Sequence, residues 1–159
     1  MRVLRPATSA CRVADPNMTE DSHVIDAETG WYFMHASVKA VVLVEGEVLL
    51  CRNPRDKWEL PGGWPSKEDS SLADVVRREV HEESGLDVVV GPVVGAEIMT
   101  IGRSGKVLIV ALRATVEGPA APRVSDEHSD VRFFPAAELP EDLENGYADL
   151  IAAAVSLPA

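Results

Sequence analysis

Three glutamates share one side of a predicted helix with its apolar residues, and this feature constrains the fold more than any other. The helix spans residues 72–83, where apolar side chains recur with helical spacing. At about 100° per residue, the carboxylates continue the apolar stripe of Val76 instead of lying opposite to it. A chain that turns carboxylates towards its own body needs another group to stabilise their charge. The glutamates are Glu79, Glu82 and Glu83.

The local chemistry of this helix favours a functional site over an ordinary solvated face. Glu79 and Glu83 are like charges four residues apart, which repel each other. They also lie near the helix C-terminus, where the helix dipole disfavours negative charge. Hard divalent cations such as Mg²⁺ bind carboxylate oxygens and would relieve this repulsion. The residues therefore predict a Mg²⁺ site on the helix, with an acidic surface patch as the alternative interpretation.

The boundaries of this helix are marked by residues that favour helix ends. Ser71 followed by Asp74 resembles a capping box at the start, and Gly85 suits a left-handed cap at the end. The preceding stretch WELPGGWPS, residues 58–66, contains two prolines and two glycines, which exclude regular structure. We therefore expect a glycine-containing loop directly before the helix.

The remainder of the chain predicts mainly strands, followed by a terminal helix. Residues 36–44 are nearly all apolar, which is typical of a strand buried on both faces. Residues 138–157 predict a second helix with Leu143 and Leu150 on its inner face. This order favours a sheet with helices packed against it. Further strands are predicted at residues 48–52, 86–90, 93–101, 106–116 and 131–135, with a turn at 102–105.

Length, charge and potential metal ligands limit the classes of protein to which this chain can belong. The 159 residues predict a flexible N-terminal arm over residues 1–30 and a single domain over residues 31–159. The formal net charge of −11, from 26 acidic and 15 basic residues, argues against nucleic acid as a partner. No apolar run is long enough to predict a membrane span, and the two cysteines have no metal-ligand spacing. His81 and His128 also lack partners at such spacing. We therefore expect a cytoplasmic protein with a small-molecule partner.

A longer motif surrounds the acidic helix. Residues 62–86, GGWPSKEDSSLADVVRREVHEESGL, resemble the signature of the Nudix hydrolases, G-x5-E-x7-R-E-U-x-E-E-x-G-U, in which U is aliphatic. The stretches WELPGG and SDEHSDVRFFPAAELP are also similar to segments of that family. One departure lies in the loop: counting forward from Gly63 places Asp69 at the acidic position, whereas counting back from Arg78 places Ser70 there. The second half matches at Arg78, Glu79, Val80, Glu82, Glu83, Gly85 and Leu86.

The resemblance implies a fold and a reaction. The fold would be of the α/β class, an α/β/α sandwich with a mixed β-sheet. The activity would be Mg²⁺- or Mn²⁺-dependent hydrolysis of a diphosphate bond in a phosphorylated small molecule, a nucleotide or nucleoside diphosphate derivative. The family pattern assigns metal binding to the three glutamates and to the backbone carbonyl of Gly63 (or its neighbour Gly62), and it implies that Arg78 orients a glutamate. Many relatives are homodimers, so this assembly is a candidate here. Candidates for the general base are Glu79, Glu82 and Glu127.

Other side chains near the motif have both a functional and a structural interpretation. Arg52 and Arg55 precede the glycine loop and could receive phosphate, or they could lie on an ordinary solvated loop. Trp64 could stack on a base, or it could pack locally. Trp58 is expected to pack beneath the loop. We predict Arg52, Arg55 and Trp64 as substrate contacts.

Two other functions are compatible with the sequence. One is a Nudix-like module that binds a nucleotide without cleaving it, and the other is a hydrolase of a non-nucleotide diphosphate. A degenerate binding module would be expected to lack part of the glutamate set. This chain retains all three glutamates together with Arg78, which favours an enzyme.

Overall fold

A seven-stranded mixed sheet forms the centre of the structure, a computed structural model that describes residues 28–30, 34–100 and 105–158. The strands are β1 (His35–Val44), β2 (Glu47–Arg52), β3 (Trp58–Glu59), β4 (Gly62–Gly63), β5 (Val88–Thr100), β6 (Lys106–Val116) and β7 (Asp130–Pro135). The helices are α1 (Leu72–Ser84) and α2 (Tyr147–Ser156). The predicted arm falls on residues 1–30, of which residues 1–27 lie outside the described part.

Strand β1 is the central strand of the sheet, because it pairs with β2, β4 and β6. Its pairing with β6 is parallel and runs from His35 opposite Val107 to Leu43 opposite Thr115, whereas the other pairings between strands are antiparallel. The short strand β4 pairs the glycine loop with β1. The expectation that residues 58–66 contain no regular structure is therefore wrong, because β3 and β4 both lie within them. Residues 37–42 are all buried, which confirms the expectation of a strand covered on both faces.

The two helices cover opposite faces of the sheet. Alternate β1 residues point to opposite faces, so Val38 packs in the core beneath α1 and Val41 packs in the core beneath α2. Helix α1 contributes Val75, Val76 and Val80 to the first core. Helix α2 contributes Tyr147, Leu150, Ile151 and Ala154 to the second. The predicted α/β/α sandwich with a mixed sheet is confirmed.

Helix α1 has the ends that its sequence predicts. The Ser71 hydroxyl accepts a hydrogen bond from the Asp74 backbone N–H at 3.2 Å. Gly85 adopts the left-handed conformation (φ 68°) and donates its N–H to the His81 carbonyl at 2.8 Å. These caps satisfy backbone groups that would otherwise lack partners at the helix ends, and they fix where the glutamates of the last turns lie.

The predicted extent of the second helix is wrong, because α2 begins at Tyr147 and not at residue 138. Pro140 has no backbone N–H for a helical hydrogen bond, and Gly146 is in the left-handed conformation (φ 90°) directly before the helix. Leu143 therefore does not lie on a helix face. It forms an isolated parallel bridge with Trp58.

The two strands predicted between residues 86 and 101 form one long strand, β5. Its pairing with β6 shifts register between Val90 and Val93 and again between Val93 and Gly95. Pro92 lies within the first shift, where it has no N–H to donate to the ladder. Residues 101–104 of the predicted turn lie outside the described part. Within the described ranges, neither helix is long and apolar enough to cross a membrane.

Candidate active site

Two glutamates of α1 are buried against the sheet and the third faces solvent. The exposed fraction is 9% for Glu79 and 5% for Glu83, whereas the Glu82 side chain is 55% exposed. The packing of Val76 and Val80 against the sheet turns this side of the helix inwards. The structure thus places Glu79 and Glu83 where the helical pattern predicts, and Glu82 at the solvent edge of the same cluster.

The Gly62–Gly63 pair fits closely between β1 and the buried carboxylates. The Gly62 N–H donates to Glu83 Oε2 at 2.9 Å. Gly62 has φ 133°, a conformation that L side chains rarely adopt, and a Cβ there would lie 2.1 Å from the Val38 carbonyl oxygen. A Cβ on Gly63 would lie 2.6 Å from Glu79 Oε1. Glycine is therefore required at Gly62, whereas a side chain at Gly63 would have to displace the Glu79 carboxylate.

Arg78 connects the glycine loop to the glutamates. Its Nη1 donates to Glu79 Oε1 at 2.8 Å and to Glu82 Oε2 at 3.1 Å. Its Nη2 donates to the Trp64 carbonyl at 3.1 Å. One planar guanidinium thus contacts two carboxylates and the loop that follows Gly63.

The acidic position of the motif is taken by Asp69. Its carboxylate accepts from Arg78 Nε at 3.2 Å and from Arg78 Nη2 at 2.9 Å, and it also accepts from the Ser66 N–H at 2.7 Å. The hydrogen bonds from Arg78 lower the pKa of Asp69 to about 2. The loop therefore has one more residue between this acid and Arg78 than the family pattern has, and Ser70 is exposed.

A layer of ionisable side chains lies beneath the glutamates. The buried Lys39 ammonium donates to the Gly62 carbonyl at 2.7 Å and lies 3.6 Å from Glu59 Oε2. His128 Nε2 lies 3.7 Å from Glu59 Oε1 and 3.8 Å from Glu83 Oε1. Burial acts to lower the pKa of Lys39, but the surrounding anionic groups outweigh it and the net pKa is raised. Lys39 therefore supplies a permanent positive charge to the floor of the site.

Burial controls the proton affinity of the inner carboxylates. It raises the pKa of Glu83 to about 7, against the opposing effects of Lys39 and the Gly62 N–H. Burial also raises the pKa of Glu79. Burial pushes the pKa of Glu59 upwards too, but its contacts with His128 and Lys39 dominate and lower it. The hydrogen bond to Glu59 raises the pKa of His128. A positive ion at Glu79 and Glu83 would offset the cost of their burial.

The donor set fits a hard divalent cation. Two carboxylates that converge on a glycine backbone provide oxygen ligands, which Mg²⁺ and Mn²⁺ prefer. Glu82 adds a third carboxylate at the solvent side, where a phosphorylated substrate can approach. The residues of this structure therefore fit the cofactor that the resemblance implies.

The remaining predicted site residues lie outside this cluster. Arg52 pairs with Asp56 at 2.6 Å and with Asp142 at 3.0 Å, and Arg55 pairs with Glu144 at 2.8 Å. Trp64 is 53% exposed, and its ring meets the His35 ring edge-on at a centroid distance of 5.2 Å. Glu127 is exposed in the loop before β7, and its N–H donates to Ser125 Oγ at 3.3 Å.

The sequence analysis missed the inner layer of the site. The sequence did contain an indication of the role of Lys39. It is the one lysine in a mostly apolar buried strand, where an unpaired ammonium group would be costly. Glu59 and His128 had no such indication, since both lie in polar surroundings in the sequence. The lack of partners for His128 at ligand spacing in the sequence did not reveal its neighbours in space. The fold of the loop before β7 buries it beside Glu59 and Glu83.

Comparisons with known proteins agree with this geometry. A family model described as the NUDIX domain matches residues 34–154. An ADP-ribose pyrophosphatase from Streptococcus suis 89-1591 has a TM-score of 0.64 and 28% identity, over 77% of this chain and 90% of that chain. A MutT protein from Methanosarcina mazei Go1 has a TM-score of 0.66 and 29% identity, over 75% of this chain and 91% of that chain. The comparison with curated proteins gave no match.

A more distant structure shows the same fold. The MutT NUDIX hydrolase from Burkholderia pseudomallei has a TM-score of 0.62 and 23% identity, over 76% of this chain and 98% of that chain. The family model covers the sheet, the glycine loop and both helices almost completely, so the resemblance first seen in residues 62–86 extends through the domain. The chain therefore belongs to the Nudix family and is a hydrolase.

Proposed function

We propose that the chain hydrolyses a diphosphate bond in a nucleotide or nucleoside diphosphate derivative and that it uses Mg²⁺ or Mn²⁺ as cofactor. The observation that carries this proposal is the convergence of the buried carboxylates of Glu79 and Glu83 on the Gly62–Gly63 backbone. Such a cluster is costly in a protein interior unless a cation joins it. The anionic diphosphate would otherwise be repelled by a chain of net charge −11.

The proposed metal ligands are Glu79, Glu82, Glu83 and the backbone carbonyl of Gly63. When bound, the ion would neutralise phosphate charge and lower the pKa of a coordinated water. Arg78 acts as a positioning residue, because it holds Glu79 and Glu82 through one guanidinium nitrogen. Lys39 supports the same loop from beneath through the Gly62 carbonyl.

Three carboxylates are candidates for the base that accepts a proton from the attacking water. Glu82 and Glu127 are exposed and can reach water directly, whereas Glu79 is buried and held by Arg78. A general base must reach the proton that it takes in the substrate complex. Each is replaced separately by glutamine and kcat is measured at saturating Mg²⁺, so that weaker metal binding is compensated. The base is the residue whose loss lowers kcat most and removes the dependence of kcat on its ionisation at low pH.

Substrate recognition is proposed for the exposed groups beside the cluster. Trp64 presents a solvent-exposed ring next to Gly63, where it can stack on a nucleotide base. Arg55 is half-exposed, and an incoming phosphate would have to replace its ion pair with Glu144. Arg52 is more buried and has two acidic partners. We therefore rank Trp64 and Arg55 above Arg52 as substrate contacts.

A substrate panel tests the proposal. Purified protein is incubated with nucleoside triphosphates, nucleotide sugars, dinucleotides and ADP-ribose, the last because one structural relative is an ADP-ribose pyrophosphatase. A prenyl diphosphate represents non-nucleotide substrates. Each reaction is run with Mg²⁺ and with EDTA, and Glu83→Gln is compared with Glu117→Gln, which alters an exposed glutamate outside the site. We expect the wild type to cleave one class of nucleotide in the presence of metal. Glu83→Gln should abolish this cleavage, and Glu117→Gln should not. Cleavage of the prenyl diphosphate alone, or turnover that persists in EDTA, would contradict the proposal.

A further inference from the structure

A second group of metal-ligating side chains lies on the inner side of Glu83. Cys51 Sγ, a carboxylate oxygen of Glu83 and a ring nitrogen of His128 all lie within 4.8 Å of one another. They come from β2, α1 and the loop before β7, so the fold and not the local sequence brings them together. All three residues are buried. A thiol, an imidazole and a carboxylate differ from the oxygen-only set of the proposed Mg²⁺ site.

We propose that Cys51, Glu83 and His128 form a binding site for a thiophilic divalent cation, Zn²⁺ or Cd²⁺, that shares Glu83 with the Mg²⁺ site. Thiolate and imidazole ligands select such ions over Mg²⁺, which prefers oxygen. Occupation of the inner site would therefore withdraw Glu83 from catalysis. The protein would then be inhibited by Zn²⁺ in competition with Mg²⁺.

The distances suit a four-coordinate ion. With Zn–S near 2.3 Å and Zn–N near 2.0 Å, neighbouring ligand atoms of a tetrahedral site lie about 3.5 Å apart. His128 Nε2 and Glu83 Oε1 are already 3.8 Å apart. The widest separation in the cluster is no more than 4.8 Å, so closure needs side-chain movements of about 1 Å.

The surroundings of His128 favour it as a ligand. Its Nδ1 lies 3.4 Å from Ser125 Oγ. In the neutral tautomer that can bind a metal, Nδ1–H donates to this hydroxyl and the Nε2 lone pair faces the interior; such an outer hydrogen bond commonly fixes the ring of a metal-binding histidine. The ion would displace the proton that the Glu59 carboxylate favours on His128. Glu59 Oε1 lies 3.7 Å from Nε2 and is a candidate oxygen to complete the coordination.

The charge of the loaded site is balanced. A divalent cation bound by the Cys51 thiolate and the Glu83 carboxylate is electrically neutral, and the thiol proton is released to solvent. Glu59 is already paired with the Lys39 ammonium. The loaded site therefore carries no net charge, which is the condition under which buried ionic groups are tolerated.

Cadmium binding tests the site without any need for turnover. The full chain is titrated with Cd²⁺ in Mg²⁺-free buffer containing a phosphine reductant, and the ultraviolet charge-transfer band of a cadmium–thiolate bond is followed. We expect saturation at one equivalent in the wild type. Cys51→Ala should abolish the band and His128→Ala should greatly weaken binding, while the matched controls Cys11→Ala and His81→Ala should retain it. Circular dichroism verifies that each variant folds.

Every outcome of this titration decides the proposal. Absence of a saturable band in the wild type would overturn it, as would a band that disappears in Cys11→Ala or one that is unaffected by His128→Ala. If Cys51→Ala does not fold, Cys51→Ser replaces it, because serine keeps the size but cannot give the thiolate band.

A separate experiment tests whether the two metal sites share Glu83, a point that rests on the proposed function. Mn²⁺ bound to the protein is followed by electron paramagnetic resonance while Zn²⁺ is added. We expect Zn²⁺ to release Mn²⁺ from the wild type but not from the His128→Ala variant. Simultaneous binding of both ions would overturn the sharing. Absence of Mn²⁺ binding in the wild type would instead count against the proposed function, while the cadmium band would still report the inner site.

Discussion

Arg78 donates to both carboxylate oxygens of Asp69, through Nε at 3.2 Å and Nη2 at 2.9 Å. This paired geometry is the strongest form of an arginine–carboxylate contact. It fixes the guanidinium plane from which Glu79 and Glu82 are held. Asp69 is therefore linked to the two glutamates through the arginine that contacts all three.

Replacement of Asp69 by asparagine should lower activity through this chain of contacts. Loss of an outer hydrogen-bonding partner of a metal site typically costs about ten- to a hundredfold in activity or metal affinity. We expect a loss of this size in kcat/KM for Asp69→Asn. Ser70→Ala is the matched control and should leave kcat/KM unchanged. The reverse pattern would show that Ser70, and not Asp69, serves the acidic position.

The same contact predicts a dependence of stability on pH. The pKa of Asp69 falls from 3.8 to about 2 in the folded chain, because Arg78 stabilises its charged form. A depressed carboxyl pKa contributes stability above the unfolded value, and the contribution is lost as pH falls through the folded value. Urea unfolding should therefore show wild type more stable than Asp69→Asn at pH 5, with the difference shrinking between about pH 4 and pH 2. A constant difference over this range would contradict the assignment.

The two glycines of the loop should respond differently to alanine. A Cβ on Gly62 would meet the backbone of Val38 at 2.1 Å with φ at 133°, so Gly62→Ala should destabilise the fold by more than about 1 kcal/mol. A Cβ on Gly63 meets the Glu79 carboxylate, which can move. Gly63→Ala should therefore lose activity with little loss of stability. Urea unfolding and initial rates on both variants check this, and equal destabilisation by the two changes would contradict it.

The buried ammonium of Lys39 should be essential to the floor of the site. Lys39→Met removes one of the two cationic neighbours of Glu59 and leaves the Gly62 carbonyl without its donor. Removal of one member of a buried ion pair typically costs about 3 kcal/mol. Urea unfolding should show this loss for Lys39→Met. The double variant Lys39→Met/Glu59→Gln should lose less than the sum of the single changes, because the two residues interact. Strict additivity would argue against their coupling.

The sequence predicted the elements that depend on local patterns. Helix α1 was predicted to within one residue because its caps, Ser71 and Gly85, lie next to it in the chain. The buried strand β1 followed from its nearly continuous apolar run, and the inward positions of Glu79 and Glu83 followed from helical spacing. The same spacing placed Glu82 on the apolar side, but its side chain is exposed. The start of α2 was misjudged because the apolar pattern was extended back through Pro140 and Gly146, and their backbone restrictions outweigh the pattern.

The inner layer of the site could not be predicted because its contacts join distant parts of the chain. Lys39 reaches Gly62 across 23 positions, and His128 meets Glu59 and Glu83 from a loop far along the sequence. The position of Asp69 was left open for a related reason. Only the folded loop shows that the inserted residue lies after the acid, so that Asp69 can still reach Arg78.

The central claim is that Glu79 and Glu83 hold the catalytic metal, and direct metal binding tests it. Mn²⁺ binding is measured by electron paramagnetic resonance in the presence of a methylene-bridged nucleotide analogue that cannot be cleaved. The wild type and Glu117→Gln should bind Mn²⁺ equally, whereas Glu79→Gln and Glu83→Gln should lose that binding while remaining folded. Undiminished Mn²⁺ binding in folded Glu83→Gln would contradict the account.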